Sequence, residues 1–311
     1  MSASLAAGLI AGERRAIARA ISAVENDDPQ ALAVIREIEP RLGRARVLGI
    51  TGPPGSGKST LIDALIGECL ARGERVAVVA VDPSSPLTGG AVLGDRIRMG
   101  AHQADERVFI RSLASRGHLG GLSRTTGRIV DLLDAAGFGR VIVETVGTGQ
   151  DEVEVAVIAD TRVVVCPPGL GDEVQAMKAG VLEIADIYCV NKADLPGVER
   201  TERELLGLID LRRSREWTPR VVRTIATTGS GVADLADAVA AREAGGSGRA
   251  ARAERLRRLL AAGAADWLRA RIEALESEEI DVLCARFGGG ELASAEAWRR
   301  AARIALKGEE S

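Results

Sequence analysis

The chain has 311 residues, which fits one core domain of about 200 residues with appendages. Hydrophobic residues make up 46% and charged residues 27%, which excludes wholesale disorder, and no apolar run reaches the roughly 18 residues that a membrane span requires. With 41 basic and 44 acidic residues the net charge is -3, so neither nucleic acid nor a membrane surface is an expected partner.

Four cysteines, Cys69, Cys166, Cys189 and Cys284, lie far apart with no C-x-x-C pair, and read as small buried apolar residues. The N-terminal stretch has no positive charge before its apolar residues and fits an amphipathic helix better than a secretory signal. A cytoplasmic location is the expectation, and an Arg-rich mitochondrial presequence is the alternative. Arg outnumbers Lys 37 to 4, the exceptions being Lys58, Lys178, Lys192 and Lys307. A compact ammonium is needed at some sites where a guanidinium fork does not fit, so these four positions merit separate attention.

Taken in chain order, residues 1–44 carry apolar residues at helical spacing around a break at Asn26 to Pro29 and form an N-terminal helical extension. Between 45 and 244, short β-branched runs alternate with helical patterns: 46–51, 75–82, 108–113, 140–145, 162–167, 187–192 and 220–226. Strands apolar throughout and separated by helices predict an α/β fold, a doubly wound and mainly parallel sheet covered on both faces. Residues 245–311 open on a small-residue break and continue as charged helices. They read as a C-terminal arm that pairs two protomers and buries Trp267 and Trp298.

The first strand runs into GPPGSGKS, Gly52 to Ser59, which fits the phosphate-loop pattern between a strand and a helix. Its glycines let backbone N–H groups curl around phosphates. The candidate phosphate-binding residues are Gly52, Pro53, Gly55, Ser56, Gly57, Lys58, Ser59 and Thr60, with Lys58 bridging the terminal phosphates and Ser59 ligating magnesium. Asn191, Lys192 and Asp194 form NKAD at the end of a buried strand. A carboxylate at Asp194 accepts two hydrogen bonds from the guanine edge, which adenine cannot donate, so GTP is expected over ATP. Thr227, Thr228 and Gly229 follow the last strand, where a loop could close over the base or simply start the next helix.

The metal side calls for acids at strand ends: Asp82, Asp95 and Glu144 join Ser59 as candidates, with helix capping the lesser alternative for Asp82 and Asp95. Gly147 in ETVG could place a backbone N–H near the γ-phosphate. Gln150 stands three residues beyond it, too far along to orient water as a glutamine directly after that glycine does, so slow intrinsic turnover is expected.

The motifs GPPGSGKST, VDPSSPLTGGAVLGDRIRM, ETVGTGQDEVEVA, GLGDEVQAMKAGVLEIADI and NKAD, in this order over about residues 1–245, resemble those of the MeaB/ArgK family of P-loop GTPases. The resemblance implies a homodimeric GTPase that binds GTP and GDP with magnesium. It also implies a chaperone role toward an adenosylcobalamin-dependent acyl-CoA mutase, usually methylmalonyl-CoA mutase, in which the GTPase gates cofactor loading and protects the mutase. By the same resemblance, Ser59, Asp82, Asp95 and Glu144 are the magnesium and switch residues. The partner-responsive segment falls on 169–184 and contains Lys178, which could approach the phosphates when the mutase binds. Where the family pattern after ETVG is nearer to VGQSE, this chain has Thr148, Gly149, Gln150 and Asp151. A nickel-type metallochaperone GTPase and a small-molecule kinase share the phosphate loop and are the rival readings.

Overall fold

The computed structural model describes residues 4–26, 28–82, 102, 104–114, 121–145, 155, 157–169, 181–211, 217–244, 248–275 and 277–306. Seven strands, β1 Arg46–Thr51, β2 Val76–Asp82, β3 Val108–Ala114, β4 Arg140–Thr145, β5 Thr161–Cys166, β6 Ile187–Asn191 and β7 Arg220–Thr224, form one sheet in the order β3-β2-β4-β1-β5-β6-β7. Every neighbouring pair is parallel. Parallel neighbours need a crossover between them, so the connecting helices cover both faces and each strand must be apolar on both sides.

Side-chain alternation distributes the strand residues between two cores. On one face Val47, Val79, Phe109 and Val141 pack with Ile17, Ile21, Ile38 and Ile129. These helical residues come from α2 Arg14–Glu25, α3 Pro29–Ile38 and α5 Gly121–Ala135, and α1 Leu5–Ile10 adds the buried Ala6 and Leu9. The N-terminal helices are therefore built into this core, and full burial of side chains such as Ile17 and Ile21 stabilises the fold by about 1.5–3 kcal/mol each. On the other face Leu48, Ile50, Val78 and Val165 pack with Leu61, Leu65 and Leu235. Those leucines belong to α4 Lys58–Ala71 and α8 Val232–Glu243. A smaller core around Tyr188, Val190 and Leu205 lies beneath α6 Val181–Ile184 and α7 Val198–Leu211.

Two buried carboxylates set the entry to the central strand. Asp134 accepts the backbone N–H groups of Gly43 at 2.6 Å and Ala45 at 3.0 Å, and Asp160 accepts that of Val47 at 2.9 Å. These bonds satisfy donors that enter the sheet before ladder partners exist for them. Asp160 also meets Arg255 of α9 Gly248–Glu273 at 3.0 Å through both carboxylate oxygens. Arg252 forks onto Asp131 at 3.0 Å twice, and Arg258 donates to the carbonyls of Val157 and Ala159. The spacing 252, 255, 258 places the three guanidinium groups on one side of the helix.

The chain divides into two compact units, residues 1–259 and 260–311. In the second, α10 Glu278–Gly288 and α11 Ser294–Leu306 pack through Leu283, Leu292 and Ala297. Ser277 caps α10 by accepting the Ile280 N–H at 3.3 Å, and acidic residues in its first turn complement the helix dipole. Trp267 and Trp298 of this unit are 41% and 69% exposed. No helix among the described residues is long and apolar enough to cross a membrane.

Candidate nucleotide site

At the carboxyl end of β1 the chain turns through Gly52 to Gly57 into α4. A side chain at Gly52, φ +145°, would run into the Val165 carbonyl, and one at Gly57, φ +89°, would meet Asn191 Nδ2 at 2.5 Å. Only glycine fits either place. Gly57 offers no side-chain cap to α4, and the first turn of that helix carries no acidic residue. The turn thus presents the positive end of a helix dipole toward the site, which suits phosphate. Ser56 is fully buried and its hydroxyl has no partner among the described residues.

Lys58 is buried, and its ammonium donates to the carbonyls of Gly52 at 2.9 Å and Pro53 at 3.1 Å. These bonds hold the charge inside the loop. The Ser59 hydroxyl donates to Glu144 Oε1 at 2.9 Å, so the start of α4 is tied to the end of β4. One residue beyond Glu144, Thr145 at the end of β4 donates to Thr51 at the end of β1 at 3.0 Å. Ser59 and Glu144 supply hard oxygens side by side beside the phosphate loop, a donor set that fits magnesium. Asp82 ends β2 in the same parallel sheet, at the carboxyl edge.

The base side is assembled around Asn191, at the end of β6. Its Nδ2 donates to the Ser56 carbonyl at 2.9 Å, and its Oδ1 accepts from Thr224 Oγ1 at 3.0 Å and from the Ala226 N–H at 3.2 Å. One amide therefore joins the phosphate loop, β6 and the segment after β7. Lys192 has φ +59°, rare for a residue with a side chain, and in that conformation its ammonium donates to the Gly55 carbonyl at 2.8 Å. A cavity of about 220 Å³ opens beside these residues, lined by Gly57, Thr60, Asn191, Lys192, Asp194, Leu195, Ile225, Ala226 and Thr227. Asp194 is exposed at its rim, available to an incoming ligand. Thr228 and Gly229 lie in the turn itself: the Thr228 hydroxyl donates to the Ile225 carbonyl at 3.2 Å, and the Gly229 N–H bonds the same carbonyl at 3.0 Å.

The structure thus brings together Gly52 to Thr60, Glu144, Asn191, Lys192, Asp194 and Thr227. Asp95, Gly147, Gln150 and Lys178 lie outside the described residues, as does the side chain of Asp82. Leu195, Ile225 and Ala226 line the base cavity without having been singled out from sequence. Their signal was weak: apolar residues directly beside NKAD and the last strand, where flat walls for a base are needed.

A phosphate loop at the end of the first strand of a parallel sheet, with a base cavity beyond it, defines a P-loop nucleotide-binding protein. Residues 17–276 match the family described as Methylmalonyl Co-A mutase-associated GTPase MeaB, and the chain belongs to this MeaB/ArgK family of P-loop GTPases. It is 53% identical over 227 residues, 72% of each chain, to a Pyrococcus horikoshii protein whose name classes it as a GTPase. The GTPase ArgK of Escherichia coli K12 is 42% identical over 230 residues, covering 71% of this chain and 70% of its own. The mouse methylmalonic aciduria type A homolog, a mitochondrial protein, is 37% identical over 246 residues, 73% of this chain and 59% of its own. A crystal structure of a LAO/AO transport system kinase superposes with a TM-score of 0.74 at 27% identity, covering 96% of both chains. The chain binds guanine nucleotide and hydrolyses GTP as a member of this family.

Proposed function

We propose that GTP binding and hydrolysis here gate the loading of an adenosylcobalamin-dependent acyl-CoA mutase of the methylmalonyl-CoA mutase type, and protect that mutase. The carrying observation is the family match over 17–276, whose description names mutase association, together with the relation to the methylmalonic aciduria type A protein. In this reading Asp194 pairs with guanine N1–H and the exocyclic amine, while Thr227 and Lys192 line the base. Gly52 to Thr60 cradle the phosphates.

Lys58 leaves its two loop carbonyls for the β- and γ-phosphates when a triphosphate enters, exchanging neutral acceptors for charged ones. Ser59 and Glu144, with Asp82 and Asp95, hold magnesium, which when bound neutralises charge on the phosphate oxygens. The sequence adds Gly147, Gln150 and Lys178 as residues that sense or assist loss of the γ-phosphate.

The division into an N-terminal extension at 1–44, a GTPase domain at 45–244 and a dimerisation arm at 245–311 completes the proposal. The exposure of Leu260 and Trp298, 73% and 69%, supports a second protomer on the arm. A cytoplasmic homodimer is the form proposed. The deciding experiment measures GTP turnover of the purified protein alone and with an adenosylcobalamin-dependent mutase. Acceleration by the mutase supports the reading; unchanged turnover at saturating mutase overturns it.

A further inference from the structure

Two residues before the guanine motif, a thiol takes part in the hydrogen bonding of the site. Cys189 Sγ lies 3.1 Å from Thr224 Oγ1, and both residues are buried. The direction of every bond in this group follows from chemistry. The Ala226 N–H must donate and the Ser56 carbonyl must accept, so Asn191 is oriented with Oδ1 toward Ala226 and Nδ2 toward Ser56. Asn191 Oδ1 only accepts, so the single hydroxyl proton of Thr224 is directed to it. Thr224 Oγ1 then has only lone pairs to offer Cys189, and the S–H must donate.

We propose that Cys189 is a positioning residue for the nucleotide site: its S–H orients the Thr224 hydroxyl, which orients the Asn191 amide that holds the phosphate loop through Ser56. Packing alone does not call for a cysteine here. Its neighbours in the same core are Val163, Val165 and Ile187, the usual fillers of a buried parallel strand. A thiol replaces part of that apolar volume with a donor, 3.1 Å from the Thr224 hydroxyl oxygen. Burial pushes the Cys189 thiol up to about 12, so the donor proton stays in place throughout the neutral range.

This inference rests on the guanine-site reading of Asn191 to Asp194, and the test separates the two. GDP and ADP affinities are measured by calorimetry on the full chain for wild type, Cys189→Ala and Cys189→Ser, well below each melting temperature. Loss of the donor is expected to weaken GDP binding about fivefold in Cys189→Ala, as one neutral hydrogen bond implies. Cys189→Ser, which restores a donor, should stay within about twofold of wild type. The infrared S–H stretching band assigned to Cys189 by difference from Cys189→Ser should show a donating thiol in the wild-type protein and should shift when GDP binds.

Unchanged GDP affinity in Cys189→Ala with only a lowered melting temperature would reduce the thiol to core packing and overturn the proposal, as would an S–H band indifferent to GDP. Equal wild-type affinity for GDP and ADP overturns the guanine reading itself, and this inference with it.

Discussion

Ser59 and Glu144, 85 residues apart in sequence, meet through a hydrogen bond of 2.9 Å between hydroxyl and carboxylate. The contact holds together the two oxygens proposed here as magnesium ligands. Glu144→Gln keeps an acceptor for Ser59 but removes the charge that favours a divalent cation. Nucleotide affinity without magnesium should be unchanged, while the magnesium concentration for half-maximal GTP hydrolysis should rise roughly 10- to 100-fold. Phosphate release titrated with magnesium reads this directly, and a superimposable titration curve would remove Glu144 from the metal side.

Asp194 is exposed and holds no loop together among the described residues, so its removal should spare the fold. In the proposed reading, Asp194→Ala gives up two charge-assisted hydrogen bonds to guanine, worth about 1.5–3 kcal/mol each. GDP affinity should fall at least roughly 100-fold, with ADP affinity and melting temperature unchanged. Paired calorimetric titrations with GDP and ADP test it; parallel losses for both nucleotides would place the guanine contact elsewhere.

Lys58 is one of only four lysines in a chain with 37 arginines. Its ammonium donates to two carbonyls of its own loop in a pocket that leaves the residue 7% exposed. A planar guanidinium cannot enter that space as a point donor. Lys58→Arg should therefore lose GTP hydrolysis as fully as Lys58→Ala, in single-turnover measurements. Near wild-type turnover in the arginine variant would show that charge alone suffices.

Much of this site was legible because its chemistry demands local patterns. The β1 and β4 boundaries, 46–51 and 140–145, follow from β-branched runs, and the phosphate loop and NKAD follow from spacing. What stayed hidden was contact between distant segments. Nothing local in Asn191 says that its amide reaches Ser56, and nothing in Gly57 says that its missing side chain makes room for that amide. The N-terminal residues read as an extension because their helical period is visible while their destination is not. In the structure Ile17 and Ile38 share a core with Val47 and Val141. The break between α1 and α2 was also missed, since it depends on Gly12 at φ +79° rather than on a proline or an asparagine.

The buried pair Arg255 and Asp160, 1% and 5% exposed, should dominate the stability contributed by α9. Arg255→Ala leaves an uncompensated carboxylate that also serves the Val47 N–H, and should cost about 3–5 kcal/mol. Denaturant unfolding of the single variants and of the double variant with Asp160→Asn gives the coupling. Additive losses would mean that the two residues act independently.

Three thiols should resist modification and lend the protein an alkaline limit. Burial is the main cause that pushes Cys69 up to about 11, and Cys166 and Cys189 up to about 12, whereas Cys284 is exposed. The folded state keeps protons that the unfolded chain releases near 9, so stability is full below about pH 9 and declines as pH rises toward 11–12. Native protein at pH 8 should take one alkyl group, at Cys284, by mass spectrometry of iodoacetamide-treated protein. Rapid labelling of Cys166 or Cys189 would contradict their burial.

The strand order carries a consequence for how the molecule is made. β1, whose end supplies the phosphate loop, is the first strand to leave the ribosome, yet it lies between β4 and β5, about 90 and 115 residues further on. Neither of its edges can be paired until those strands exist, and Asn191 and Ala226 arrive later still. Ordering of the nucleotide pocket is therefore a long-range, late event in biosynthesis, slow by the entropy of closing such loops. Guanine nucleotide, which binds only the completed pocket, acts on the end of that process and draws the last-formed contacts toward the native state.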